Sequence, residues 1–319
     1  MHEFELIKNY FQKLSKKSPG ALNLNDDVFF DKKNKLVVSV DTYIEGNHFV
    51  NFKKPELVIK KIIRSSISDL ICKGVKPKYY FISGSGNKKS FSRSNLSKIS
   101  KALNEEQKNY KIFLCGGDTV FSNKLSFTIT SIGFANNIIC RNKAKINDDI
   151  YVSGNLGDSY VGLLLLKNKI KLNNTLNKYF INQYFLPTIQ FKLMHQIKKF
   201  ANTSIDISDG LLTDLDKMIN TQKLSYKLYL SEVPISKNLK KIIDLKKLSK
   251  INYISNGDDY QVLFTASKQK SRIIAKIATD FKIKLTKIGT IQSDSKNSSI
   301  VDHKNRVISL KNRGYFHQF

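Results

Sequence analysis

Seven aspartates, Asp26, Asp27, Asp41, Asp69, Asp118, Asp206 and Asp209, stand at or beside the ends of apolar runs. Basic residues outnumber acidic ones by 54 to 26, so this concentration is no by-product of an acidic chain. A carboxylate at the end of a buried strand is unfavourable unless something cationic meets it. Loops at strand ends share one rim of a sheet, so several of these groups can converge. Converging carboxylates repel one another unless hard cations join them. Short, oxygen-only aspartates suit Mg²⁺, which binds through few carboxylates and completes its shell with water and phosphate oxygens. The chemistry indicated is phosphate handling with metal ions, where positioning and charge neutralisation carry most of the catalysis.

The glycine-rich stretches do not supply an alternative. Gly84-Ser85-Gly86-Asn87-Lys88-Lys89-Ser90 fails the G-x-x-x-x-G-K-[ST] template and reads first as a flexible loop, second as a phosphate contact. Gly154-Asn155-Leu156-Gly157 after a strand lacks the dinucleotide spacing and reads as a tight turn into a helix, at whose N-terminus an anion could sit. Each acidic motif also has a plainer reading. Asp209-Gly210 is a common turn or cap pair, Gly116-Gly117 a turn, and Asp148-Asp149 a solvated turn before a strand. Asp214 and Asp216 fit first-turn helix charges, and a lone His48 fits an ordinary polar contact.

The elements that must position these groups follow from periodicity. Phe4 to Leu14 has helical spacing. Leu36 to Val40 reads as a buried strand, with Leu36, Val38 and Val40 on one side, ending in Asp41. Pro55 starts a helix with Ile59, Ile62, Ile63, Ile67 and Leu70 inward; Asp69 sits near its end, against the dipole. Strands are expected over Tyr79–Ser83, Ile112–Cys115 (short and buried), Leu125–Ile132, Ile150–Ser153 and Gln261–Thr265. Helices are expected over Leu96–Tyr110, Tyr160–Leu166 and Gln190–Phe200, and from Leu211, capped by Ser208 or Asp209. The pattern changes around Asn136–Asn147, which divides the chain into residues 1–138 and 139–319.

Composition excludes other classes. No apolar run approaches the ~18 residues of a membrane span. Three cysteines, Cys72, Cys115 and Cys140, match neither a disulfide framework nor a zinc site, so a reducing cytoplasm is expected. The net charge of +28 would suit a nucleic-acid partner, but pairs such as Lys60-Lys61 and Lys198-Lys199 are scattered and form no tract. They read as solvated surface lysines, with no specific nucleic acid expected. Without further comparison, the residues describe a magnesium-dependent, phosphate-handling α/β enzyme.

Taken in order, the motifs resemble the thiamine-monophosphate kinase family, within the superfamily typified by aminoimidazole ribonucleotide synthetase. They are Glu3-Phe4-Glu5-Leu6-Ile7, Asn25-Asp26-Asp27, Ser39-Val40-Asp41-Thr42 with Glu45-Gly46-Asn47-His48-Phe49, Ser68-Asp69-Leu70, and Gly116-Gly117-Asp118-Thr119. The series continues with Arg141, Asp149–Gly154, Ile205–Leu211, Gly257–Tyr260 and Gly314-Tyr315-Phe316-His317. The resemblance implies transfer of the γ-phosphate of ATP to thiamine monophosphate with several Mg²⁺ ions. It implies an α/β (α+β) two-domain fold, with an N-terminal ATP- and metal-binding half whose sheets pair in a homodimer and a C-terminal α/β half completing the cleft. By position, Asp27, Ser39, Asp41, Asp69, Asp118, Asp206 and Asp209 would hold metal. Gly117, Asp118, Arg141 and Ser208 would contact ATP, and His48, Asp258 and Tyr315 the thiamine phosphate. The chain departs from the family at Asn25, Val120-Phe121 and Gly84–Lys89. Asp258 stands where the family has glutamate, one methylene longer. The alternatives are another ATP-using enzyme of the superfamily and a non-catalytic basic nucleic-acid-binding protein.

Overall fold

The computed structural model describes residues 3–295 and 297–308. The first sheet has the order β1-β2-β5-β3-β4, built from β1 (Phe29–Asp31), β2 (Leu36–Ile44), β3 (Pro77–Gly86), β4 (Phe113–Phe121) and β5 (Ser126–Phe134). Pairing is antiparallel except between β3 and β4, which run parallel. The helices of this half are α1 (Glu3–Leu6), α2 (Pro55–Cys72) and α3 (Arg93–Tyr110).

The second sheet has the order β11-β8-β10-β6-β9-β7. Its elements, in chain order, are β6 (Asp149–Ser153), α4 (Asp158–Leu166), α5 (Asn174–Phe185), α6 (Met194–Ile197), β7 (Ala201–Asp206), α7 (Leu211–Met218) and β8 (Leu224–Tyr229). There follow α8 (Lys237–Lys246), α9 (Ile251–Ile254), β9 (Val262–Ala266), α10 (Ser271–Phe281), β10 (Leu285–Ser293) and β11 (Ser299–Val301). An α/β architecture of two sheets is therefore present.

Helix α2 is the element on which both halves are laid. Proline at its first turn loses no hydrogen bond, and its apolar spacing buries Val58, Ile59, Ile62, Ile63, Ile67 and Ile71. These residues share one core with Phe127 and Ile129 of the first sheet and with Tyr184, Phe185, Met194 and Tyr260 from beyond residue 138. Just past its end, Ser204 Oγ of β7 donates to the Cys72 carbonyl at 2.6 Å.

Several local expectations are corrected. β2 does not stop at Asp41 but runs to Ile44, and its buried face carries Val37, Ser39 and Tyr43, while Val40 is 60% exposed. Phe4–Leu14 is only briefly α-helical, continuing as a wide turn over Ile7–Phe11 and a 3₁₀ turn over Gln12–Lys17. Tyr10 and Leu14 find no core among the described residues and stay exposed. β3 absorbs the glycines expected to form a flexible loop. β4 runs through Gly116-Gly117-Asp118 and is exposed along its whole length, because it is an edge strand with no cover among the described residues. Residues 190–200 contain only the short α6. Asp148 and Asp149 are buried: Asp148 accepts from Asn202 Nδ2 and Thr265 Oγ1, and Asp149 pairs with Lys287.

Candidate active site

The aspartates converge. A cleft of about 630 Å³ is lined by Asp26, Asp27, Asp41, His48, Asp69, Arg141, Asp206, Ser208, Asp209 and Asp258. β2 contributes Asp41 from its inward face. α2 contributes Asp69 from its last turn, and β7 ends at Asp206. The next loop is held against the Asn256–Asp258 loop by close backbone contact. Gly210 (φ 120°) and Gly257 (φ 71°) both adopt left-handed-side backbones, and a Cβ on either would lie within 2.3 Å of a carbonyl of the facing loop. Ser208 O accepts from Asp258 N at 2.9 Å, completing the junction. Gly210, rather than Ser208 or Asp209, precedes α7; the Asp214 carboxylate accepts from the backbone N–H of Asp209 and Gly210 at 2.9 and 3.0 Å.

Three carboxylates, Asp41, Asp69 and Asp206, crowd the centre. Among the described residues none of Asp41, Asp69 and Asp206 forms an ion pair. Burial, and then the neighbouring Asp206, push the Asp41 carboxyl up to about 7. Burial, then Asp41 and Asp206, hold Asp69 well above the usual carboxylate range, although the Ser39 hydroxyl donates to it. Burial likewise raises Asp206, whose Oδ2 is buried with no hydrogen-bond partner. Such a group of oxygens fits a hard cation: each carboxylate repels the others, and one oxygen is wholly unsatisfied. No ready-made group of three or more metal-ligating side chains is present among the described residues.

The surrounding charges are paired. Lys73 Nζ lies 2.8 Å from Asp26 Oδ1 and 2.7 Å from Asp27 Oδ2. Arg141 pairs with Asp27, and its backbone N–H donates to Asp26 Oδ2 at 2.8 Å. Lys217 pairs with Asp209. Lys61, 1% exposed, places Nζ 2.6 Å from Asp258 Oδ1 and 4.0 Å from the centre of the Tyr184 ring. Tyr260 OH donates to the same Asp258 oxygen at 3.0 Å. Tyr184 OH donates to the His48 carbonyl at 3.2 Å, tying this cluster to the β2 loop. His48 Nδ1 accepts the Ile44 N–H at 3.1 Å, which leaves Nε2 as the protonated nitrogen of the neutral ring.

Ser39, Gly117 and Asp118 stand apart from the cleft lining. Ser39 is buried in β2 and reaches the site through Asp69. Gly117 and Asp118 lie on exposed β4, away from the cleft of this chain. A Cβ at Gly117 would sit 1.7 Å from the Ile82 carbonyl, so the strand pair β3–β4 already requires this glycine. Tyr315 lies outside the described residues. Conversely, Lys61, Lys73 and Lys217 were hidden among surface lysines. Only Lys61 carried a signal, three residues after Val58 and four before Ser65 on the inward side of α2.

The AIR synthase related protein, N-terminal domain, family matches residues 24–135. The thiamine-monophosphate kinase of Buchnera aphidicola (subspecies Acyrthosiphon pisum) is 33% identical over 326 aligned residues, covering 99% of this chain and 98% of that protein. This chain belongs to the thiamine-monophosphate kinase family. The Haemophilus influenzae kinase is 34% identical over 83% of the chain and 81% of its own length. Among solved structures, AaThiL complexed with AMPPCP and TMP superposes with a TM-score of 0.85 at 26% identity, over 99% of this chain and 97% of that one. The kinase family thus extends across both sheets, well past the stretch matched by the AIR synthase domain.

Proposed function

We propose that this chain transfers the γ-phosphoryl group of ATP to thiamine monophosphate, producing thiamine diphosphate. The carrying observation is the convergence of Asp41, Asp69, Asp206, Asp209, Arg141, Ser208 and His48 in one cleft, in a member of this kinase family. The acceptor is already an ionised phosphate oxygen, so no strong base is required. Asp41, Asp69 and Asp206 would hold Mg²⁺, with Ser39 fixing Asp69. Bound there, Mg²⁺ supplies neutralisation of the charge on the ATP phosphates. Arg141 offers guanidinium N–H groups to phosphate oxygens. The protonated Nε2 of His48 is a donor suited to the acceptor phosphate, and Lys61 sets the position of Asp258 beside it.

The exposed edge β4, with Phe113, Leu114, Val120 and Phe121 uncovered, supports a homodimer in which the first sheets pair. In that assembly Gly117 and Asp118 would be delivered to ATP across the interface. The chain divides into an N-terminal half, 1–138, and a C-terminal half, 139–319, a reading supported by the presence of two separate sheets. No helix among the described residues is long and apolar enough to cross a membrane, and ATP-dependent chemistry on this acceptor suits the cytoplasm. The test is incubation of purified protein with ATP, Mg²⁺ and thiamine monophosphate, with thiamine diphosphate quantified by chromatography. Absence of product, with Asp41→Asn behaving like the parent, refutes the reading.

A further inference from the structure

The acidic cleft divides into two parts with opposite charge balance. At one end, Asp26 and Asp27 bring two negative charges, and Lys73 and Arg141 bring two positive ones. Every oxygen of the two carboxylates has a donor. Asp26 Oδ1 accepts from Lys73 Nζ and from the Asp27 N–H at 2.8 Å, and Asp26 Oδ2 from the Arg141 N–H. Asp27 Oδ2 accepts from Lys73 Nζ at 2.7 Å and Arg141 Nε at 3.2 Å, and its Oδ1 pairs with Arg141 Nη2. Lys73 itself is saturated. Its third acceptor is the Ser204 carbonyl at 2.8 Å, and its side chain is fully buried. Three donors meeting three acceptors in the interior describe a fixed cation, not a wandering surface lysine. At the other end, Asp41, Asp69 and Asp206 have no ion pair among the described residues, and Asp206 Oδ2 has no hydrogen-bond partner among them.

We propose that the Lys73 ammonium serves as a built-in cation at Asp26 and Asp27, so that divalent ions are bound by Asp41, Asp69 and Asp206 and not by Asp27. A dication at Asp27 would have to sit beside two fixed positive charges and displace donors that already satisfy its oxygens. The resemblance to the kinase family implies a metal role for Asp27; the ion pairs of this chain assign it instead to the protein's own cations. Lys73 then ties the Asn25–Asp27 turn, the end of α2 and strand β7 into one unit, so the Asp26–Asp27 end of the cleft is set before any ion enters. The proposal rests on the kinase reading only for the nature of the ion, and its test does not require turnover.

The experiment is equilibrium dialysis of the purified full chain against Mn²⁺, counting ions bound per chain, for the parent, Asp27→Asn and Lys73→Met. Asp27→Asn is expected to bind no fewer ions than the parent. Lys73→Met, which frees both carboxylates, is expected to bind about one more, consistent with a carboxylate pair becoming available to a hard cation. Circular dichroism establishes that each variant is folded; if Lys73→Met is not, the Asp27→Asn count decides alone. Fewer ions bound by Asp27→Asn, or no gain in folded Lys73→Met, overturns the proposal. Loss of kinase activity with these counts as expected would refute the function and leave the cation assignment standing.

Discussion

The pair Lys61–Asp258 makes an asymmetric prediction. Lys61 is 1% exposed, whereas the Asp258 side chain is 24% exposed and faces the cleft. Asp258→Asn leaves a buried ammonium without its counter-charge. Breaking a buried pair this way costs about 3–5 kcal/mol. Lys61→Met leaves the charge on Asp258, which water can reach from the cleft, and Tyr260 OH still donates to it. The expected loss there is about 1–2 kcal/mol. At roughly 2 °C per kcal/mol for a chain of this size, Asp258→Asn should lower Tm by about 6–10 °C and Lys61→Met by about 2–4 °C. Burial already lowers the pKa of Lys61 against the pull of Asp258. Without Asp258 it falls further, so the folded variant binds fewer protons than the unfolded chain, and its stability recovers as pH rises. Calorimetry without ligands at neutral and alkaline pH measures both effects. Equal losses, a larger loss for Lys61→Met, or no recovery of Asp258→Asn at high pH would refute the assignment of Lys61 as a buried cation held by Asp258.

Other expectations follow from the same geometry. Asp41 has a folded-state pKa raised to about 7, so its contribution to stability is present below its unfolded pKa and lost as pH rises through about 7. Tm of the metal-free protein should therefore fall between about pH 4 and pH 7, and Asp41→Asn or added Mg²⁺ should flatten that fall; a parent Tm that rises over this window contradicts the carboxylate cluster. Phe121→Asp on the exposed edge β4 should yield monomers by analytical ultracentrifugation, whereas a parent that is itself monomeric removes the basis for pairing through this edge. Gly117→Ala should lose about 3 kcal/mol in denaturant unfolding because its Cβ would meet the Ile82 carbonyl, and a stable variant would show that β3 and β4 are less closely apposed.

The aspartates were legible because a short carboxylate after an apolar run breaks the expected pattern, and six of the seven candidates that the sequence names line the cleft. Asp26, Asp27, Asp41, Asp69, Asp206 and Asp209 indeed share the cleft, while Asp118 does not within one chain. Their counter-charges were illegible for the opposite reason. In a chain with 54 lysines and arginines, a buried lysine has no local mark. Lys73 follows the end of α2, where helical periodicity no longer sorts inside from outside. The aspect of β4 was misread because alternation and apolar content report what a strand could bury, not whether the same chain covers it. Asp148 and Asp149 read as a turn since their partners, Asn202, Thr265 and Lys287, are more than fifty residues away.

Because one core encloses α2, the first sheet and residues from α5 and the Tyr260 loop, the boundary near residue 138 is not a place where this protein can be cut. A fragment ending there would present Val58, Ile62, Tyr80 and their neighbours to solvent where Tyr184, Phe185, Met194 and Tyr260 had covered them. Residues 139–319 keep a cluster of their own around Ile150, Leu212 and Leu263, but lose the packing that Tyr184, Phe185, Met194 and Tyr260 make with the first half. The same shared interior resists rigid hinge bending of one half on the other. Glu3 and Ile7, from the N-terminal segment outside that core, line the same cleft as the carboxylates.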